Sequence, residues 1–343
     1  MTGVQTCALP ICIARCLEEA RGLAEHLDNP ARLVEIDTSQ CLTLTKMGRL
    51  EQAVEAGQRG YDAASRLGEP AGFLNASFAL AQAYWYHGRF REAEQLVVAR
   101  LPAVRGELRL RNTGTTGTAS VLALVCLSKT FAITGQASKA FETIAEARDI
   151  ASDTRKAFDL SYCHVGRGFC LLMADEPDAA VGELEAGLRL ARAGDIALLI
   201  PSSQRYLGRA YALVGRLKQA DDVLNEAIER TTASGLLGMR LWSMAALAEA
   251  QLLGRVVEAH EIHKTLLVTL DLAQQQGFRP LQARVLRLIG TLHALSDAPE
   301  TEAWYRRAAD LAVELGMVPE AALTNRNLTL WLGRVRPTDE STH

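Results

Sequence analysis

The commonest catalytic signatures are missing from this 343-residue chain. No Gly-Lys dipeptide occurs anywhere, so the phosphate loop G-x4-G-K-[ST] is excluded. G-x-S-x-G and H-E-x-x-H are absent too, which removes two frequent hydrolase arrangements. There is no block of one charge sign: 37 Lys and Arg against 40 Asp and Glu leave a net charge of −3, where an electrostatic nucleic-acid binder would carry a basic patch. No apolar run approaches the roughly 18 residues that cross a bilayer, so no membrane partner is expected. The seven cysteines form no C-x-x-C pair and stop at Cys170, whereas a disulfide framework would be denser. Reduced thiols in a cytoplasmic protein are the expectation. Nor does any segment show sustained two-residue alternation, so no strand is expected.

What the chain has is helical patterning, with 48% hydrophobic residues to bury. In Gln204–Arg230, Leu207, Ala210, Tyr211 and Val214 recur at i, i+3, i+4, i+7, the spacing of one helix face. Gly215 breaks the pattern, as a residue free to adopt positive φ at a helix end does. A second stripe follows at Leu217, Ala220, Val223, Leu224, Ala227 and Ile228. Two amphipathic helices joined by so short a turn fold back on each other, and the pair is too small to bury both stripes alone.

The unit repeats. A turn residue five positions before a small helix residue occurs at Gly48/Ala53, Gly88/Ala93, Gly135/Ala140, Asp175/Ala180, Gly215/Ala220, Gly254/Ala259 and Ala298/Ala303, at intervals of 39 to 47 residues. A second series, Gly68, Gly194, Gly235, Gly277 and Gly316, closes the pairs. Pro30, Pro70, Pro201, Pro280 and Pro319 fall where first helices should start, and Pro177 and Pro299 open second helices, positions that tolerate a missing N–H. The spacing predicts an orphan helix over Cys12–Leu27, seven helix pairs from Pro30 to Leu315, a capping helix over Pro319–Leu332 and a frayed polar tail over 335–343. The one substantial insertion is Leu101–Thr118.

These residues resemble the tetratricopeptide repeat: Leu207, Gly208, Tyr211, Ala220 and Ala227 match its small and large positions in order, and Leu80, Ala81, Tyr84 and Ala93 follow closely. In the sixth unit Ala250 stands where the family has an aromatic residue, and the seventh carries one extra residue near Ser296. The resemblance implies an all-α, right-handed α-solenoid of about seven helix-turn-helix repeats over 12–334, in the long variant of about 40 residues. The stretch Gly277–Leu281 with Ala283, Gly290, Tyr305–Ala308 and Glu314–Met317 is similar to the tail of bacterial proteins that join a class III nucleotide cyclase, an AAA-like ATPase and tetratricopeptide repeats. Residues 2–11, TGVQTCALPI, resemble a translated sequencing adapter, so 1–11 are set aside as an artefact and the natural protein is expected to extend upstream.

Sharper chemistry finds little support. His260 and His263, with Glu258 and Glu261, offer two nitrogen ligands but no third, and the expectation is no metal and no cofactor. Arg105, Arg109 and Arg111 before the Thr/Gly run 113–118 offer a phosphate site or, more simply, a solvated helix end. Cys163 and Cys170, two helical turns apart, are too distant for a disulfide and read as small buried residues. Tyr84 fits the repeat core, while Trp85 points toward a different surface.

Carried over from the family, the ligand-contacting positions on first helices fall on Asn75, Phe78, Gln82 and Trp85, then Val125 and Lys129, then Tyr162 and Phe169, then Ser202, Arg205 and Arg209. That implies a groove aromatic at one end and basic toward its middle, with Lys129, Arg205 and Arg209 wet because cations are hard to bury unpaired. Asn75, Gln82, Trp85, Lys129, Tyr162, Arg205 and Arg209 are the candidate partner-binding residues. The expected function is a non-enzymatic interaction or sensor module of a bacterial signalling regulator. It would bind a peptide or partner domain, its own upstream ATPase or cyclase domain being one such partner; the alternative is a small effector controlling that domain.

Overall fold

The computed structural model describes residues 10–254 and 257–335, and every regular element among them is an α-helix. The adapter-like stretch lies outside the described residues except where the first helix reaches back to Pro10; the tail 336–343 lies outside them too. After α1 (Pro10–His26), seven helix pairs follow: α2 (Pro30–Met47) with α3 (Leu50–Leu67), and α4 (Pro70–His87) with α5 (Phe90–Val98), which is followed by a short α6 (Leu101–Arg105). Next come α7 (Ala119–Ile133) with α8 (Ala137–Thr154), α9 (Ala157–Met173) with α10 (Pro177–Ala193), and α11 (Leu199–Leu213) with α12 (Leu217–Ala233). The last pairs are α13 (Leu237–Gly254) with α14 (Ala259–Gln275) and α15 (Arg279–Ala294) with α16 (Thr301–Glu314), before a final α17 (Val318–Val335). The architecture is a tetratricopeptide-like α-solenoid.

Local chemistry sets the boundaries. The Asn29 side chain accepts the Arg32 N–H at 3.1 Å ahead of Pro30, and Gly48 ends α2 at φ 86°. Second helices then bury one stripe at +4, +3, +4 spacing: Ala140, Ile144, Ala147 and Ala151 in α8, and Ala220, Leu224, Ala227 and Thr231 in α12. The large residue of each stripe fills the gap over a small residue on the partner helix. A Cβ at Gly208 would lie 2.3 Å from Leu224, and one at Gly168 would lie 2.4 Å from Leu184.

The same stripe corrects the register of the last two pairs. In α14 it runs Ile262, Leu266, Thr269, Ala273, and in α16 Thr301, Tyr305, Ala308, Ala312. Ala259 and Ala303, expected at the small position, are exposed, and Gly254, expected in the turn, is the last residue of α13. Ala250 is therefore not a replacement for the helix-A aromatic. It occupies the small position that Gly208 takes in α11, twelve residues before the stripe begins.

Successive turns of the superhelix touch. α13 packs on α2, α15 on α4 and α17 on α7, so each unit sits against the one five further along. The seats are the turn glycines of the first three pairs. Gly48 faces the Phe278 ring, the Gly238 nitrogen and the Leu237 Cβ, Gly88 faces Leu315 and Pro280, and Gly135 faces Val318. Gly215, the same turn position in the fifth pair, has nothing within 4 Å. The stacking closes the inner surface into walled chambers.

A candidate ligand chamber on the inner surface

First helices line the inside, and their inward residues enclose a cavity of about 470 Å³. Its wall draws on α2, α4, α7, α9, α11 and α13. Asn75, Phe78, Gln82 and Trp85 of α4, Lys129 of α7, Tyr162 of α9, and Ser202 and Arg205 of α11 all face it. Six of the seven candidate partner-binding residues are thus brought together. The seventh, Arg209, faces a second cavity of about 700 Å³ bounded by α9, α11, α13, α15 and α17. Val125 and Phe169 sit behind the first wall, buried.

The insertion also meets this chamber. Its Thr113–Gly117 loop forms part of the wall, held by Asn75, whose amide donates to the Thr113 carbonyl at 2.9 Å and accepts the Thr113 hydroxyl at 3.0 Å. Buried Asp159 accepts the Thr118 N–H at 2.8 Å and the Thr118 and Thr154 hydroxyls at 2.6 and 3.0 Å, fixing the loop's far end. The three arginines before the loop do not converge on an anion site. Arg105 pairs with Glu146 at 2.9 Å, Arg109 with Asp153 at 2.8 Å and Arg111 with Glu69 at 3.8 Å. The two histidines do not converge either. His260 is exposed beside Glu261, while the His263 ring stacks edge-on against His293 at 5.1 Å.

The expected wetness of the cations is overturned. Lys129, Arg205 and Arg209 are 9%, 4% and 6% exposed. Lys129 and Arg209 are sheltered by partners about one repeat away in sequence, and Arg205 by its neighbour Tyr206. The Lys129 ammonium sits 4.4 Å from the centre of the Trp85 ring, 5.3 Å from that of Phe169 and 5.6 Å from that of Tyr206. The Arg205 guanidinium lies 4.4 Å from the Tyr206 centroid, and its Nη2 donates to the Tyr206 hydroxyl at 2.6 Å. Arg209 Nε donates to the Glu249 carboxylate at 3.1 Å. The groove is accordingly not aromatic at one end and basic at its middle; rings and cations alternate within one cluster. Trp85 stands at its centre, edge-on to Phe90 and Phe169 and 6.3 Å from Trp242 of the next superhelical turn.

Several contributors were not among the carried-over positions. Tyr86, Tyr206 and Lys46 line the chamber, as do Glu35, Thr38 and Leu42, which the same helix-A spacing reaches when extended to the first pair. Burial would raise the Tyr206 phenol, but Arg205 and Lys129 against it outweigh that and hold its pKa below the ordinary 10. Burial pushes the Cys126 thiol in the wall up to about 11 and Cys163 and Cys170 to about 12, so these are free thiols, not thiolates.

Lys46 gives a pH-dependent expectation. Burial lowers its pKa from 10.5 to about 8. The unfolded chain therefore binds a proton that the folded chain has released between about pH 8 and 10.5, and in that window this group makes stability rise with pH. Lys46→Met removes the cost of burying the ammonium. The variant is expected to be more stable than the parent at pH 7 by about 1–3 kcal/mol, a gap that shrinks as pH rises through about 8. Denaturant midpoints at pH 7 and 10 measure it. A gap that stays constant with pH shows that Lys46 does not titrate in this way.

No family model matches the chain, and no curated protein matches it. Solved structures do. A Rap protein complexed with Competence and Sporulation Factor has a TM-score of 0.58 at 12% identity over 98% of this chain and 88% of that one. NprR in complex with its cognate peptide NprX has a TM-score of 0.55 at 15% identity over 95% and 94%. Aspartyl phosphate phosphatase F from Bacillus subtilis has a TM-score of 0.56 at 8% identity over 84% and 73%. At these identities the likeness is one of fold, a tetratricopeptide-like helical repeat. Among the described residues, no helix is long and apolar enough to cross a membrane.

Proposed function

We propose that the chain is a sensor module of a signalling regulator, a single solenoid over 12–334 that binds a short peptide segment in the chamber on its inner surface. The observation that carries this reading is the convergence of Asn75, Gln82, Trp85, Lys129, Tyr162 and Arg205, from four different helix pairs, on one walled cavity. A volume of about 470 Å³ lies within the range of ligand pockets and suits a short segment better than a folded partner domain. Two of the similar folds were solved with a factor or peptide bound, which supports a ligand-binding use of this fold. The readout would pass to an upstream ATPase or cyclase domain. A small effector is the second reading, and the stacking of α13 on α2 favours it, because that contact closes the inner surface rather than leaving a groove open along its length.

Thermal unfolding of the purified protein against pools of penta- to heptapeptides, and separately against pools of nucleotides and metabolites, tests both. A member of one pool is expected to raise the Tm, and Gln82→Trp, which fills the chamber from α4, is expected to abolish the rise. If no pool shifts the parent, or if Gln82→Trp binds equally well, the chamber is not the site.

A further inference from the structure

The chamber holds two buried cations, Lys129 and Arg205, with no carboxylate paired to either among the described residues, and that imbalance specifies the chemistry it takes. Arg205 is 4% exposed, and its Nε and Nη1 have no partner. Its Nη2 reaches only phenol oxygens, Tyr206 at 2.6 Å and Tyr86 at 3.4 Å. The indole N–H of Trp85, 3% exposed, is unpartnered as well, and so is that of Trp242 beside it. Lys129 meets ring faces and forms no ion pair among the described residues. Both cations flank the same Tyr206 ring, so their charges are close neighbours. Glu35, the carboxylate in the wall, is exposed and already paired with Arg32.

Two buried like charges with no counter-charge repel each other and carry a desolvation cost that ring faces and phenol oxygens offset only in part. A buried polar group is ordinarily satisfied, and unsatisfied donors clustered at one place mark a missing acceptor. The Arg209 cluster in the neighbouring cavity shows the contrast. There Arg209, Arg284 and Arg287 share Glu249, and Arg287 also holds Glu320, so the protein supplies its own anions. In the first chamber the one wall carboxylate, Glu35, is taken up by Arg32 and none pairs with Lys129 or Arg205 among the described residues.

The geometry points to an oxyanion as the missing partner: the ligand presents a carboxylate or phosphate to Arg205, Lys129 and the Trp85 indole N–H, with an apolar or planar body among the surrounding rings. Charge-assisted bonds to a guanidinium are about twice as strong as neutral ones, and the rings exclude the water that would weaken them. This assignment rests on the chamber being the ligand site proposed above.

Three small probes separate the sources. Benzoate, phenyl phosphate and neutral benzamide share a ring and differ in charge. At matched ionic strength in chloride, benzoate or phenyl phosphate at about ten times its Kd is expected to raise the Tm by on the order of 2–4 °C, and benzamide is not. A response to benzoate assigns the carboxylate of a peptide or organic acid; a response to phenyl phosphate assigns a phosphorylated ligand. The response should vanish in Lys129→Met and Arg205→Met and persist in Arg105→Gln, whose guanidinium is exposed. Lys129→Met should also unfold at a higher temperature than the parent without ligand, the reverse of what a structural lysine would give. If either chamber variant fails to fold, the Trp85 indole N–H resonance, assigned with Trp85→Phe, reads the site in the parent and should shift with the anion alone. Equal responses to benzamide and the anions, an anion response that survives both methionine variants, or an unmoved Trp85 resonance overturns the assignment. A neutral peptide or effector that shifts the parent while both anions fail overturns the oxyanion and leaves the sensor reading standing.

Discussion

Replacing Glu249 by leucine is expected to lower the stability of the chain by about 3–5 kcal/mol, the range seen when one partner of a buried charge network is removed. Glu249, 6% exposed on α13, accepts from Arg209 Nε of α11 at 3.1 Å and from Arg284 and from Arg287 Nη2 of α15, the last at 3.0 Å. Arg287 extends the network to Glu320 of α17. One carboxylate thus joins three inner helices, and a fourth is tied through it. Burial would raise its pKa, but Arg284, Arg209 and Arg287 outweigh that and hold it well below the usual carboxylate range. Losing Glu249 leaves three buried guanidinium groups with one carboxylate among them. The cost is one of charge more than of packing, so Arg284→Met in the Glu249→Leu background should recover part of it by removing one orphaned cation. Glu314→Gln, at the exposed pair with Arg279, should leave the denaturant midpoint almost unchanged. The sign with pH is fixed as well. A depressed folded pKa contributes stability that is fully present above the unfolded value of 4.5 and lost as pH falls toward the folded one. The gap between parent and Glu249→Gln should therefore narrow below pH 4.5. A gap that is flat with pH, or no recovery with Arg284→Met, would show that Glu249 acts by shape.

The helix pairs were legible because their punctuation is. A left-handed residue ends most first helices and an alanine opens the second-helix stripe of the first five pairs, and both requirements are local. The register of the sixth and seventh pairs was not, because alanine is equally at home on an exposed face. Ala259 and Ala303 imitate the spacing, while the true positions carry Ile262 and Thr301. Threonine can stand in for alanine there because its hydroxyl bonds nearby backbone: Thr301 to the Ala298 carbonyl at 2.7 Å, and Thr269 in the α14 stripe to that of Thr265 at 2.7 Å. The inward residues of the second to fifth pairs could be named from one spacing rule. Their burial could not. Arg209 finds Glu249 forty residues on, one repeat away, a partner the period itself points to. Trp85 finds Trp242 across a superhelical turn, and the pitch that brings them to 6.3 Å is a property of the whole stack rather than of any segment.

That pitch is open to a direct test, because Gly135 and Gly215 occupy the same turn position with the same φ of 79° but different surroundings. Alanine at either site bears the same left-handed strain, on the order of 1 kcal/mol. At Gly215 nothing lies within 4 Å of the new Cβ, and the strain is the whole cost. At Gly135 the Cβ would fall 2.8 and 2.9 Å from two carbons of Val318, at the start of α17. Something must shift, and overpacking of this kind adds about 1–3 kcal/mol. Gly135→Ala is therefore expected to lose roughly 2–4 kcal/mol against about 1 for Gly215→Ala, read as the difference in denaturant midpoint at constant m. Val318→Ala in the Gly135→Ala background removes one of the two colliding carbons and leaves the Cβ, so it should recover part of the difference from Gly215→Ala. Of the three seats only Gly48 lies against α13, the one helix of the second superhelical turn that lines the chamber, through Met239; α17 borders the second cavity instead. Equal losses at the two glycines would mean that the turns do not bear on each other in solution.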